Sequence, residues 1–225
     1  MDEFECRTRI ISGYGTVRHL AELGAKRLFL VTDPYFARNG VADRVAAGAK
    51  AEQVAVFSSN HILYGDISRR VMSVLSQFSP EVEIYSIDEA FLSLDGIVMP
   101  YGPEVYAHQM ADAVLRCVGI PVSIGIASTK TLAKIASHRA KKIARYNGVC
   151  HLVTPDQQAI ALMECPIGDV WGVGRRLAPK LMEQGVSTAW DYIHLPRERV
   201  RRLYTIEGER TWRELRGEVC YDVDE

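Results

Sequence analysis

The β-favouring residues Val82, Ile84, Tyr85 and Ile87 run into two adjacent carboxylates, Asp88 and Glu89. The apolar pattern then resumes as Phe91-Leu92-Ser93-Leu94, and Asp95-Gly96 turns the chain. This pattern predicts two strands with an acidic pair between them. Side chains alternate across a strand, so Asp88 and Glu89 can serve one site only if the chain bends there. Further upstream, the run Arg27-Leu28-Phe29-Leu30-Val31-Thr32 reads as a buried strand closed by Asp33-Pro34. Asn39-Gly40 leads from it into a short helical pattern over 41–49. A longer amphipathic helix is predicted over 67–78, with Asp66 as N-cap and Ile67, Val71, Val74, Leu75 and Phe78 on its buried face. Pro103, suited to a first helical turn, opens another helix reaching Cys117, and a strand over 122–127 follows.

The next segment, 130–145, predicts a helix with two distinct faces. At ~100° per residue, Lys130, Lys134, His138, Lys141 and Arg145 fall within an arc of about 80°. Leu132, Ala136, Ala140 and Ile143 occupy the other side, and no Asp or Glu interrupts 129–147. Such a stripe is either a solvated face or an electrostatic cradle for phosphates. Two converging carboxylates nearby would suit Mg²⁺, the usual partner of nucleotide phosphates; the plain alternative is an acidic turn.

Trp171-Gly172-Val173-Gly174-Arg175-Arg176-Leu177-Ala178-Pro179-Lys180-Leu181 precedes Gln184-Gly185-Val186-Ser187-Thr188. Gly172 and Gly174 permit a tight turn whose N–H groups, at a helix start, can meet a phosphate. Arg175, Arg176 and Lys180 add sequence-independent attraction for a nucleic-acid backbone. A plain αα-hairpin capped by glycines is the alternative. Arg197, Arg199, Arg201 and Arg202 extend the basic character, diluted by Glu198.

Bulk properties narrow the picture only slightly. A length of 225 residues, 48% hydrophobic and 24% charged, fits one or two small globular domains. The net charge of −1 means that any nucleic-acid affinity must rest on local patches. No apolar run approaches the ~18 residues of a membrane span, and the acidic start Met1-Asp2-Glu3-Phe4-Glu5 lacks a signal-peptide core. Cys6, Cys117, Cys150, Cys165 and Cys220 are scattered and odd in number. That spacing argues for free thiols in a reducing cytoplasm, against zinc sites and disulfides.

The string Tyr85-Ser86-Ile87-Asp88-Glu89-Ala90-Phe91 resembles the second catalytic motif of the Y-family (translesion) DNA polymerases. Its neighbours agree in order: Ser58-Ser59-Asn60 and Leu63-Tyr64-Gly65-Asp66 upstream, as in the UmuC-like branch. Downstream come Val122-Ser123-Ile124-Gly125-Ile126-Ala127, Lys130-Thr131-Leu132-Ala133-Lys134-Ile135-Ala136 and Asp169-Val170-Trp171-Gly172-Val173-Gly174. The resemblance covers roughly 57–222. It implies an α+β fold, with a partial polymerase palm (an antiparallel sheet with packed helices) over 58–165 and a helix-hairpin-helix thumb over 166–225. It implies that Asp88 and Glu89 are catalytic Mg²⁺ ligands and that Lys141 contacts the nucleotide triphosphate. Lys130 and Lys134 stay open to a role in the fold. Gly172, Gly174, Arg175, Arg176 and Lys180 would hold primer–template DNA.

The first 57 residues follow a different resemblance. Thr8-Arg9-Ile10, Gly13-Tyr14-Gly15, Leu20-Ala21-Glu22-Leu23 and the strand ending at Asp33 look like the N-terminus of iron-containing alcohol dehydrogenases. That implies a small α/β Rossmann-like fragment, without the family's Gly-Gly-Gly-Ser segment or metal ligands, and hence no dehydrogenase chemistry. The chain then reads as a chimera joined near 56–59. The first metal-binding Asp, the fingers and the little finger would be missing, which would impair polymerase activity. Two alternatives follow: a non-catalytic DNA-binding module, or a nucleotide-binding dehydrogenase fragment. A third arrangement has Asp33, with Tyr35-Phe36-Ala37 behind it, filling the vacant palm position. The expected setting is cytoplasmic damage tolerance, with DNA and deoxynucleotides as partners and no membrane.

Overall fold

The structure is a computed structural model that describes residues 22, 26–32, 40–48, 53–58 and 61–223. The chain divides into two units, Met1–Tyr64 and Gly65–Glu225. In the first, strand β1 (Arg27–Thr32) pairs in parallel with β2 (Gln53–Ser58), from Arg27↔Gln53 to Thr32↔Ser58. Parallel neighbours need a crossover, and helix α1 (Val41–Gly48) lies between them in the chain. Asp33 and the aromatic residues at 35 and 36 lie outside the described residues, as do residues 1–21.

Helix α2 spans His61–Leu75, so it begins six residues before the predicted start. Asp66 is therefore not an N-cap. It sits inside the helix and pairs with Arg70 at 2.8 Å and Arg69 at 3.7 Å, the spacings that a helix brings together. An Asp just ahead of an apolar periodic run is an ordinary helix-start signal, but this helix continues back through Asp66 and Gly65 to His61. Met72 and Val74 are buried on this helix.

Strands β3 (Val82–Ile84) and β4 (Ala90–Leu92) form the expected antiparallel hairpin, in register Val82↔Leu92 and Ile84↔Ala90. Helix α3 (Pro103–Val118) runs from Pro103 to a left-handed Gly119, whose N–H closes on Leu115 O. Strand β5 (Ile124–Ile126) does not join the hairpin's ladder. It pairs in parallel with β6 (Val149–His151), because helix α4 (Lys130–Lys142) carries the chain across between them. The palm expectation of one antiparallel sheet thus holds only for β3 and β4.

Gly125 decides how closely α4 can seat on β5. A Cβ there would collide with the backbone of Ala133 and Ser137, so only glycine permits this approach. The Ser137 hydroxyl seals the contact by donating to Ser123 O at 3.2 Å. α4 ends three residues earlier than predicted. Ile143 turns extended, Ala144–Tyr146 make one 3₁₀ turn, and Asn147 (φ 45°) and Gly148 (φ 82°) end the segment in left-handed conformations. Ile143 and Arg145 consequently leave the helical faces assigned to them.

Helix α5 (Pro155–Glu164) starts at a capping box between Thr154 and Gln157. A 3₁₀ turn at Ile167–Asp169 precedes the short helices α6 (Leu177–Glu183) and α7 (Ala189–Ile193), and the long α8 (Arg197–Glu214) closes the unit. One buried cluster runs through Leu132, Ile135, Leu152, Leu162, Ile167, Leu181, Tyr192, Val200 and Leu215. α4, β6 and α5 therefore share a core with the helices after residue 166.

Candidate active site and nucleic-acid interface

The acidic pair lies in the turn of the β3–β4 hairpin, where the strand pattern ends. Glu89 O accepts from Tyr85 N at 3.1 Å and from Ser86 N at 3.0 Å, which folds 85–89 into a tight loop. The Ser86 hydroxyl donates to Asp88 Oδ1 at 2.7 Å. The pair therefore lies in a turn and not in a straight strand, so the strict alternation of faces does not apply to it. Both side chains are exposed, and both offer the hard oxygen ligands that Mg²⁺ takes alongside water and phosphate oxygens. Among the described residues no group of three His, Cys, Asp or Glu side chains converges. The pair thus fits as a partial ligand set for Mg²⁺.

The basic face of α4 is less uniform than its periodicity predicts. Lys130 is buried, with its ammonium bonded to Glu83 and to the Asp222 carbonyl, and it lies 5.2 Å from the centre of the Phe91 ring. It secures the hairpin and the chain's last described segment to α4. Lys134, one turn on, places Nζ 2.8 Å from Glu89 Oε2. His138 and Lys141 are exposed, with His138 Nε2 4.0 Å from Asp169 Oδ2. Lys141 sits about 10 Å along the axis from Lys134, on the same face. Arg139 faces inward, bonded to Glu164 and to the Tyr146 hydroxyl.

An aromatic cluster joins the hairpin to the glycine loop. Trp171 packs against Tyr85, Phe91 and Tyr221 with ring centres 5.3, 5.7 and 5.5 Å away. Its indole N–H donates to the Tyr85 hydroxyl at 3.0 Å. Burial, then the hydrogen bond to Glu207, pushes Tyr221 up to about 12. Trp171 was legible only as part of a motif; its contacts with the hairpin are long-range, and no spacing along the chain announces them.

In the loop itself, Gly172 has φ +88°, and a Cβ would stand 2.6 Å from Thr211 Oγ1 on α8. Gly172 is therefore required by the fold. Gly174 has open space around it and no positive φ, so nothing inside the molecule demands a glycine there. Arg175, Arg176 and Lys180 are exposed. α6 has only seven residues, so a helix dipole adds little, and attraction for an anion rests on these side chains.

Glu214 was not visible as important in the sequence. It is fully buried on α8 and accepts from the backbone N–H of Thr131 at 3.0 Å, Cys220 at 2.7 Å and Tyr221 at 3.3 Å. Its carbonyl takes the Thr129 hydroxyl at 2.8 Å. One carboxylate thereby caps α4 and fastens the segment that carries Tyr221 to Trp171.

The impB/mucB/samB family model matches residues 24–138, just over half of the chain. The chain belongs to that family. It is 44% identical to protein UmuC of Salmonella typhimurium over 173 residues, 76% of this chain and 41% of the relative. Protein ImpB of Salmonella typhimurium is 42% identical over 176 residues, 77% of this chain and 42% of the relative. The chain thus spans about two-fifths of the length of these curated relatives. The fold is similar to that of a DinB family error prone DNA polymerase from Sulfolobus solfataricus, with TM-score 0.67 and 21% identity. That likeness covers 94% of this chain and 65% of the other. The family match begins within the segment that resembles alcohol dehydrogenases and takes in β1, α1 and β2. The dehydrogenase half of the expected chimera gains no support from these relatives.

Proposed function

We propose that this chain supplies palm and helix-hairpin-helix thumb functions of a Y-family translesion polymerase, holding DNA by its backbone for Mg²⁺-dependent nucleotidyl transfer. The observation that carries this reading is the bent hairpin. It brings two adjacent carboxylates to an exposed turn beside the basic face of α4, joined through Trp171 to the glycine loop. Asp88 and Glu89 would hold Mg²⁺, which supplies charge neutralisation at the transferred phosphate when bound. Lys141 would meet the triphosphate. Gly172 and Gly174 would leave backbone N–H groups open to a DNA phosphate, with Arg175, Arg176 and Lys180 adding charge. The setting would be DNA damage tolerance in the cytoplasm.

A second reading, DNA binding without catalysis, draws on the engagement of Glu89 by Lys134 and on the partial ligand set. Both readings share the DNA interface, which fluorescence anisotropy with a labelled duplex tests. Arg175→Ala and Lys180→Ala should each weaken binding equally for unrelated sequences and lower the salt slope by about 1. Unchanged binding in both variants, or binding confined to one sequence, would contradict the interface.

A further inference from the structure

Two lysines one turn apart on α4 have different surroundings. Lys130 is committed to two internal acceptors, Glu83 and the Asp222 carbonyl. Lys134 has a single hydrogen-bond partner among the described residues, Glu89 Oε2 at 2.8 Å. Its other neighbours are ring faces, with Nζ 4.8 Å from the centre of Tyr85 and 5.2 Å from that of Trp171. Those rings are fixed against each other, edge to face, and by the indole bond to the Tyr85 hydroxyl. Ring faces attract a cation without accepting a conventional N–H bond. The ammonium can therefore release Glu89 and keep its place. The pair is only partly shielded, with Lys134 24% and Glu89 45% exposed, so an ion from solvent can reach it.

We propose that Lys134 is a positioning residue for Glu89. It holds the carboxylate beside α4 in the absence of metal and competes with a divalent cation for the same oxygen. When the cation takes Glu89, the ammonium stays over Tyr85 and Trp171. This inference rests on the metal-binding reading of the acidic hairpin and adds to it a built-in counter-ion. A carboxylate held in one orientation loses less freedom on meeting an ion, while the competing charge keeps affinity low until phosphate arrives.

Mn²⁺ titration of the full chain, with free ion read by electron paramagnetic resonance, tests it in wild type, Lys134→Met, Lys134→Gln, Lys134→Arg and Glu89→Gln. Removing the competitor in Lys134→Met or Lys134→Gln should tighten binding about threefold to fivefold, the scale of one partly exposed ion pair. Lys134→Arg, which keeps the charge, stacks on the same rings and can pair with Glu89 through two N–H groups, should not tighten binding. In a Glu89→Gln background the gain from Lys134→Met should vanish. Binding in Lys134→Met and Lys134→Gln that is unchanged or weaker, while Glu89→Gln loses affinity, overturns the inference and leaves the metal reading standing. A gain that persists in Glu89→Gln also overturns it, because the lysine then acts by general charge alone. Equal binding by wild type and Glu89→Gln removes the metal reading, and the inference with it.

Discussion

The indole N–H of Trp171 donates to the Tyr85 hydroxyl at 3.0 Å, a bond between residues 86 positions apart in the chain. It ties the loop that begins at Gly172 to the hairpin that carries Asp88 and Glu89. Tyr85→Phe keeps the ring contact but removes the acceptor, and should cost about 1 kcal/mol or less at this partly exposed site. Trp171→Ala also removes the packing on Phe91 and Tyr221 and should cost clearly more. Urea unfolding of both variants checks the order.

Gly125→Ala should be among the most damaging small substitutions in the chain. The new methyl would meet the backbone of Ala133 and Ser137, which cannot move aside as a flexible side chain could. A loss of about 3 kcal/mol or more is expected, as α4 lifts from β5. Chemical denaturation measures it, and a loss below about 1 kcal/mol would show that the helix has room to shift.

Glu214→Ala strips the acceptor from three backbone N–H groups in a fully buried place. The expected cost is about 3 kcal/mol, with Glu214→Gln milder because one oxygen remains. Hydrogen exchange at Thr131, Cys220 and Tyr221 should accelerate in Glu214→Ala before the rest of the unit responds.

Cysteine reactivity should follow burial. Burial foremost, and the Asp169 charge next, raise the Cys165 thiol from 9.0 to about 11. Its folded value thus exceeds its unfolded one, so the neutral thiol stabilises the fold below pH about 9. That contribution declines as pH rises toward 11. At pH 8 a thiol reagent should modify exposed Cys117 quickly and leave buried Cys150 and Cys165 untouched until denaturant is added.

Local periodicity made α3 and the β3–β4 hairpin legible, because Pro103 and Asp95-Gly96 punctuate them clearly. It misplaced the start of α2, because Asp66 has the character of an N-cap while the helix continues back through it to His61. It also overextended α4, which ends after Lys142 where Ile143 turns extended and starts a separate 3₁₀ turn. The acidic pair and the glycine loop stood out as motifs. What the motifs could not convey was who faces whom. Lys134 and Lys130 share one predicted stripe, yet one is buried against Glu83 and the other meets Glu89. Those outcomes depend on long-range packing by Trp171 and Glu214, which no window along the chain contains.

The most direct test of the account is single-nucleotide extension of a primed template with Mg²⁺, comparing wild type with Asp88→Ala at equal DNA occupancy. The account predicts weak Mg²⁺-dependent extension by wild type, impaired by the partial ligand set, that falls to background in Asp88→Ala with DNA binding intact. Extension that is equal in the two proteins, or a wild type that binds DNA and adds no nucleotide, would contradict it.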